Sequence, residues 1–166
     1  MSASMTATQP RDAARQIALV RAVVALLWAA ALALVAGDAG NELPAGVAAL
    51  VAAYPLIDVA ASLRGGGALL RVNAAIGLLA TAGLAAAAFG SSTDTTLAVF
   101  GAWAVVSGAI QLALSRRALP MVASGAISML AGLWFIASSD APVTSLAGYA
   151  AFGAVFYLVW VWRLES

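Results

Sequence analysis

The stretch LAVFGAWAVVSGAIQLAL (97–114) runs for 18 residues without a charge and meets SRRALP (115–120) at once. A helix of that length rises about 27 Å, enough to cross the hydrocarbon of a bilayer. Its apolar residues do not alternate with polar ones, so it does not read as a strand of a membrane barrel. A helix then remains as the spanning form whose backbone groups satisfy one another.

Five more runs of this kind flank it, at 17–36, 45–63, 72–90, 121–137 and 143–162. The breaks between them are short: GDAGNELP (37–44), RGGGALLR (64–71), SSTDTT (91–96), SRRALP and SSDAP (138–142). Neighbouring spans should therefore pack antiparallel. Composition agrees. Hydrophobic residues make up 64% of the 166 and charged residues 9%, against roughly 45–50% and 25% in soluble domains. Such a chain lacks the polar surface to cover a core in water. The expected fold is all-α: a polytopic membrane protein with six transmembrane helices. Residues 1–16 read as a flexible cytoplasmic N-terminus, 17–163 as the transmembrane domain, and 164–166 as a cytoplasmic tail. ALALVAG in the first run loosely resembles a signal cleavage site. Its apolar stretch of 20 residues exceeds the usual 7–15 or so of a signal core, so an uncleaved anchor is expected.

Residue types limit the chemistry. The chain has no Cys and no His. That removes disulfides, thiolate catalysis, iron–sulfur ligation, the commonest general base and the commonest zinc ligand. No phosphate loop, paired intramembrane carboxylates or metal-ligand cluster is visible. Neither an enzyme, a metal nor a cofactor is expected, and no residue reads as catalytic. A net charge of +1 offers no basic face to nucleic acid.

Arginine orients the chain. Arg11, Arg15 and Arg21 precede or open the first run. Arg64 and Arg71 flank the second loop, Arg116 and Arg117 the fourth, and Arg163 closes the sixth run. All eight basic residues fall on one side. The other loops hold Asp38, Glu42, Asp94 and Asp140. The positive-inside bias is strongest over short loops, so both termini should be cytoplasmic. These arginines would also meet anionic lipid headgroups, at about 1 kcal/mol each. The bilayer is the expected partner. A homo-oligomer is an open alternative to a monomeric bundle.

The runs repeat. RAVVALLWA (21–29), NAAIGLLAT (73–81) and SGAISMLAG (124–132) align without gaps, at starts 52 and 51 residues apart. In the even runs, Tyr54, Asp58 and Ser62 match Trp103, Ser107 and Gln111, and then Tyr149, Gly153 and Tyr157. Spacing of i, i+4, i+8 puts each triplet on one helix face. The unit is a helical hairpin, present three times (17–63, 72–114 and 121–162). Hairpins entering from the same side imply a pseudo-threefold axis along the membrane normal.

Small residues should let the helices approach, since lipid gives no hydrophobic drive between them. Gly77, Gly83, Gly101, Gly108, Gly125, Gly132, Gly148 and Gly153 mark the candidate contact faces. Pro55 lies inside the second run, removes an N–H, and should kink it. Trp28, Trp103, Trp134, Trp160 and Trp162 partly suit interface belts.

Two ionisable groups sit inside the runs. Arg21 is about 6 Å past the start of the first run and Asp58 about 7–8 Å before the end of the second. The matched depths predict an intramembrane Arg21–Asp58 ion pair, because an unpaired charge there costs about 2–3 kcal/mol. Snorkelling of Arg21 to the headgroups is the alternative. Asn73, Ser124, Ser107, Ser62, Gln111 and Tyr157 complete a polar layer near the same leaflet. It reads either as a clasp between hairpins or as the mouth of a path. The outer half of the chain offers a path almost nothing polar.

The repeated hairpin, YPLIDVAASLRG (54–65) and FGAWAVVSGAIQLALSRR (100–117) resemble the HdeD-like acid-resistance membrane proteins. These are bacterial six-span proteins built on a short internal repeat of unknown function. The resemblance covers most of 17–163. It implies a bacterial inner-membrane protein with a part in acid or envelope stress, and it transfers no site residue. A small channel or transporter for protons, ions or a solute, with a polar mouth near Asp58, is the alternative.

Overall fold

The computed structural model describes residues 9–37, 40–65, 67–115, 118–138 and 140–165. The described residues form seven helices: α1 (Gln9–Val35), α2 (Ala45–Ala53), α3 (Pro55–Gly65), α4 (Ala68–Gly90), α5 (Thr93–Leu114), α6 (Leu119–Ala137) and α7 (Ser145–Glu165). Helices α2 and α3 are the two halves of one span, so there are six spans long and apolar enough to cross a membrane. The chain is a multi-pass membrane protein. Helix α1 starts at Gln9, so the expected flexible segment 1–16 is helical over its second half. Asp12 in the first turn favours that extension through the helix dipole.

The spans form a closed ring. Each packs on its neighbours in the chain, and α7 closes on α1. Outward faces carry large apolar residues such as Leu27, Leu34, Leu79 and Leu130, as lipid contact demands. The interior is filled from every span: Leu32, Val47, Val51, Leu84, Leu97, Phe100, Phe135 and Leu146 are buried together. Charge divides the two ends. Arg15, Arg64, Arg71 and Arg163 are exposed at one, the basic end; Glu42, Asp94 and Asp140 are exposed at the other, the acidic end. Asp38 and the pair at 116–117 lie outside the described residues, as does the side chain of Arg11. At the acidic end the loops are tied together. Thr93 donates from its backbone N–H to the Asn41 carbonyl at 2.9 Å and from Oγ1 to the Gly40 carbonyl at 2.8 Å.

Helices α5 and α6 touch backbone to backbone. Gly101 faces Gly132 and Gly108 faces Gly125, and a methyl added at any of the four would strike a carbonyl oxygen. A methyl at Gly77 would strike the Val59 side chain of α3 and meet the Pro55 carbonyl at an ordinary 3.4 Å, whereas one at Gly83 is in ordinary contact with Val99. Gly148 and Gly153 depart from the expectation: a methyl at either meets nothing within 4 Å. Helix α7 seats on α1 through a different face, where Ala147, Ala150, Ala154 and Val161 are buried at helical spacing.

Candidate functional site: a polar floor and an aromatic cavity

The site begins with Pro55. It has no N–H to give, and the second span breaks at Tyr54. The Tyr54 N–H shifts to the Val51 carbonyl at 3.3 Å, three residues back instead of four. This strands the Leu50 carbonyl, which in an unbroken helix would receive that proton. Trp28 takes the place: its Nε1–H donates to Leu50 O at 2.7 Å. Trp28 is therefore an internal strut, buried to 8% exposure, and not a member of an interface belt. Trp103, at 5%, is likewise internal. The signal for Trp28 lay in Pro55, since an intramembrane proline needs a donor for the carbonyl it frees.

The break turns Tyr54 toward the middle of the ring. Its ring centroid lies 4.4 Å from Trp28, 5.6 Å from Phe100, 5.7 Å from Trp103 and 6.2 Å from Tyr149. Phe135 adds to the cluster against Phe100 and Tyr149. Most of these rings meet edge-on, the favoured geometry for aromatic pairs.

One turn toward the basic end, Asp58 is buried and ion-paired with Arg21. The Arg21 guanidinium also lies 4.5 Å from the centre of the Tyr157 ring. Arg21 thus turns inward and does not snorkel. On its other oxygen, Asp58 accepts long hydrogen bonds of 3.4 Å from Asn73 Nδ2 and Ser107 Oγ. Asn73 donates more closely to Ser62 Oγ, at 2.9 Å. Gln111 donates to the Met121 carbonyl at 3.0 Å and so bridges α5 to α6. Ser124 is buried in the same wall. The expected polar layer is thus assembled around Asp58, with Gln111 and Ser124 at its α6 margin. Above it a relay not foreseen joins three spans: Ser128 Oγ donates to the Ala104 carbonyl at 3.1 Å, and Tyr149 O–H donates to Ser128 Oγ at 2.6 Å. Thr81 is spent within its own helix, on Gly77 O.

Three buried polar atoms in this region have no hydrogen-bond partner among the described residues: Asp58 Oδ1, which the Arg21 ion pair covers, and Trp103 Nε1 and Asn73 Oδ1, which nothing covers. Buried groups of that kind cost about 1–3 kcal/mol each.

Two cavities flank the layer. The larger, about 410 Å³, runs along α7 from Ser145 to Tyr157 and reaches α6 at Trp134 and Ser124. Arg21 and Asp58 form its floor at the basic end. The smaller, about 270 Å³, lies beyond them, walled by Ala14, Ile17, Leu70, Asn73 and Trp160. Asp58, Ser107, Gln111 and Tyr157 border both. The polar layer is therefore a partition between two voids. Compared with known proteins, the chain matches no family model, no curated protein and no solved structure.

Proposed function

We propose that this chain is a non-enzymatic protein of a bacterial inner membrane that binds a molecule drawn from the lipid phase. The observation that carries this reading is the cavity between α6 and α7, with apolar walls and a hydrogen-bonding floor at Arg21 and Asp58. Its size falls in the range of small-molecule sites, about 300–1,000 Å³, and such sites pair apolar walls with a few convergent polar groups. The basic end faces the cytoplasm in this reading, with both termini, and the exposed arginines there meet anionic headgroups. The three hairpins are repeats about a pseudo-threefold axis. The meeting of Tyr54 with both Trp103 and Tyr149, the matched first positions of the triplets, supports it. The HdeD-like resemblance of the repeat adds a role in acid or envelope stress.

The test is extraction. Protein purified in mild detergent should release a bound small molecule into organic solvent in proportion to protein. Gly148→Phe, which fills open space in the cavity wall, should release much less. Equal release from both would overturn the reading. A transporter is the second reading, favoured by the shared partition between the two cavities. It predicts proton or solute flux in liposomes that disappears in Asp58→Asn.

A further inference from the structure

We infer that the larger cavity takes an uncharged, planar, carbonyl-bearing ring compound with an apolar tail, of the quinone class. This rests on the binding reading above and names its ligand.

Ring content comes first. Of the five Trp, three Tyr and five Phe in the chain, eight rings line this one cavity. Trp103 and Tyr54 stand on the side of the ring's core, and Trp134, Phe152 and Phe156 stand on the side of the bilayer. Trp134 and Phe152 are half-exposed to lipid. A saturated chain gains nothing special from such walls. A flat ring does, by edge-to-face and offset contacts.

Charge is the second constraint. The only ionised groups in the lining are Arg21 and Asp58, and they neutralise each other. An anionic head would have to compete with Asp58 for the guanidinium, and a cationic head with Arg21 for the carboxylate. Either exchange leaves a buried charge alone, a costly outcome in a membrane interior. An uncharged head incurs no such penalty.

Donor supply is the third. Trp103 lines the cavity, is 5% exposed, and holds an indole N–H with no acceptor among the described residues. An indole nitrogen donates and never accepts. A ligand carbonyl that reached this closed-off nitrogen would supply the acceptor it lacks.

Space for the ligand is kept on α7. Gly148 and Gly153 both line the cavity, and a methyl on either meets nothing within 4 Å. The twelve-residue interval from Ser145 to Tyr157 gives the cavity a length of about 18 Å along the helix. That accommodates a ring near Trp103 and a short tail toward the Trp134 end.

The experiment is equilibrium dialysis of the full chain in nanodiscs, with empty nanodiscs as the baseline for partition into lipid. Two uncharged probes are compared: menadione, a naphthoquinone, and monolaurin, a saturated single-chain glyceride. The expected result is saturable menadione binding above baseline, weakened about five-fold by Trp103→Phe through the lost hydrogen bond, and abolished by Gly148→Phe. Gly153→Leu serves as the second cavity-filling variant should Gly148→Phe not fold. Monolaurin binding without menadione binding overturns the ring inference and leaves the binding reading standing. Absence of binding by either probe overturns both. Menadione binding unaffected by either cavity-filling variant places the ligand elsewhere and overturns the inference.

Discussion

Consider the added methyl of Gly108→Ala. It would lie 2.6 Å from the Gly125 carbonyl oxygen, 2.9 Å from Met129 Cγ and 3.1 Å from Met129 N. Two of those three atoms are backbone and cannot swing aside. Ordinary contact begins at 3.4 Å, so α6 must retreat by about 0.8 Å. A gap of that size forfeits a quarter to a half of each contact's dispersion energy along the seam. It also stretches the Ser128 Oγ to Ala104 O bond from 3.1 Å to about 3.9 Å, beyond hydrogen-bonding range. Overpacking costs about 1–3 kcal/mol, and an interhelical bond in a membrane adds about 0.6 kcal/mol. The expected loss is about 2–4 kcal/mol. Gly148→Ala, in open space, should instead be neutral or gain up to about 1 kcal/mol from helix propensity. Reversible unfolding in mixed micelles, titrated with SDS, reads both. If Gly108→Ala unfolds no earlier than Gly148→Ala, helices α5 and α6 are not held at backbone contact, and the reasoning fails.

Three other predictions follow from the site. Asp58→Ala and Arg21→Ala should each destabilise by about 3–5 kcal/mol, because each leaves the other buried charge alone; the double variant should cost clearly less than the sum, and additive losses in a double-mutant cycle would show no coupling. Trp28→Phe should cost about 1 kcal/mol by stranding the Leu50 carbonyl, and close to nothing in a Pro55→Ala background, where the Tyr54 N–H can return to it; equal costs in both backgrounds would refute the strut. Since the chain has no cysteine of its own, single cysteines at Asp94 or Asp140 should react with an impermeant maleimide from outside intact cells, and at Arg64 or Arg71 only after lysis; the reverse pattern would invert the proposed orientation.

Much of this architecture is legible in the residues. Each apolar run is long and holds at most one charged residue, so the six spans follow from the cost of unsatisfied backbone in lipid and need no knowledge of neighbours. Arg21 and Asp58 could be matched by depth alone, because helical rise converts residue counts into distance. Asn73 and Ser107 could be picked out by aligning the runs as the proposed repeat. Other features depend on relations that no local pattern carries. Trp28 found its acceptor 22 residues away, and only after the proline had freed it. Gly101 and Gly148 are the same residue in similar company, yet one lies against a carbonyl and the other against empty space. What separates them is that α6 packs closely along α5 and only sparsely on α7, a property of whole helices. The cavity is unreadable for the same reason: an absence of atoms leaves no mark in composition.

Closure of the ring by α1 and α7 has a consequence for synthesis. The face of α1 carrying Ala22 and Ala25 is completed by Ala154 and Tyr157 of α7, and Arg21 lies against that same Tyr157. While the ribosome is still translating α2 to α6, this side of α1 stands against lipid or the insertion machinery with its arginine half-dressed. The ring can therefore close only once α7 has been made. A stop codon before Tyr157 would release a chain whose wall is open beside Arg21.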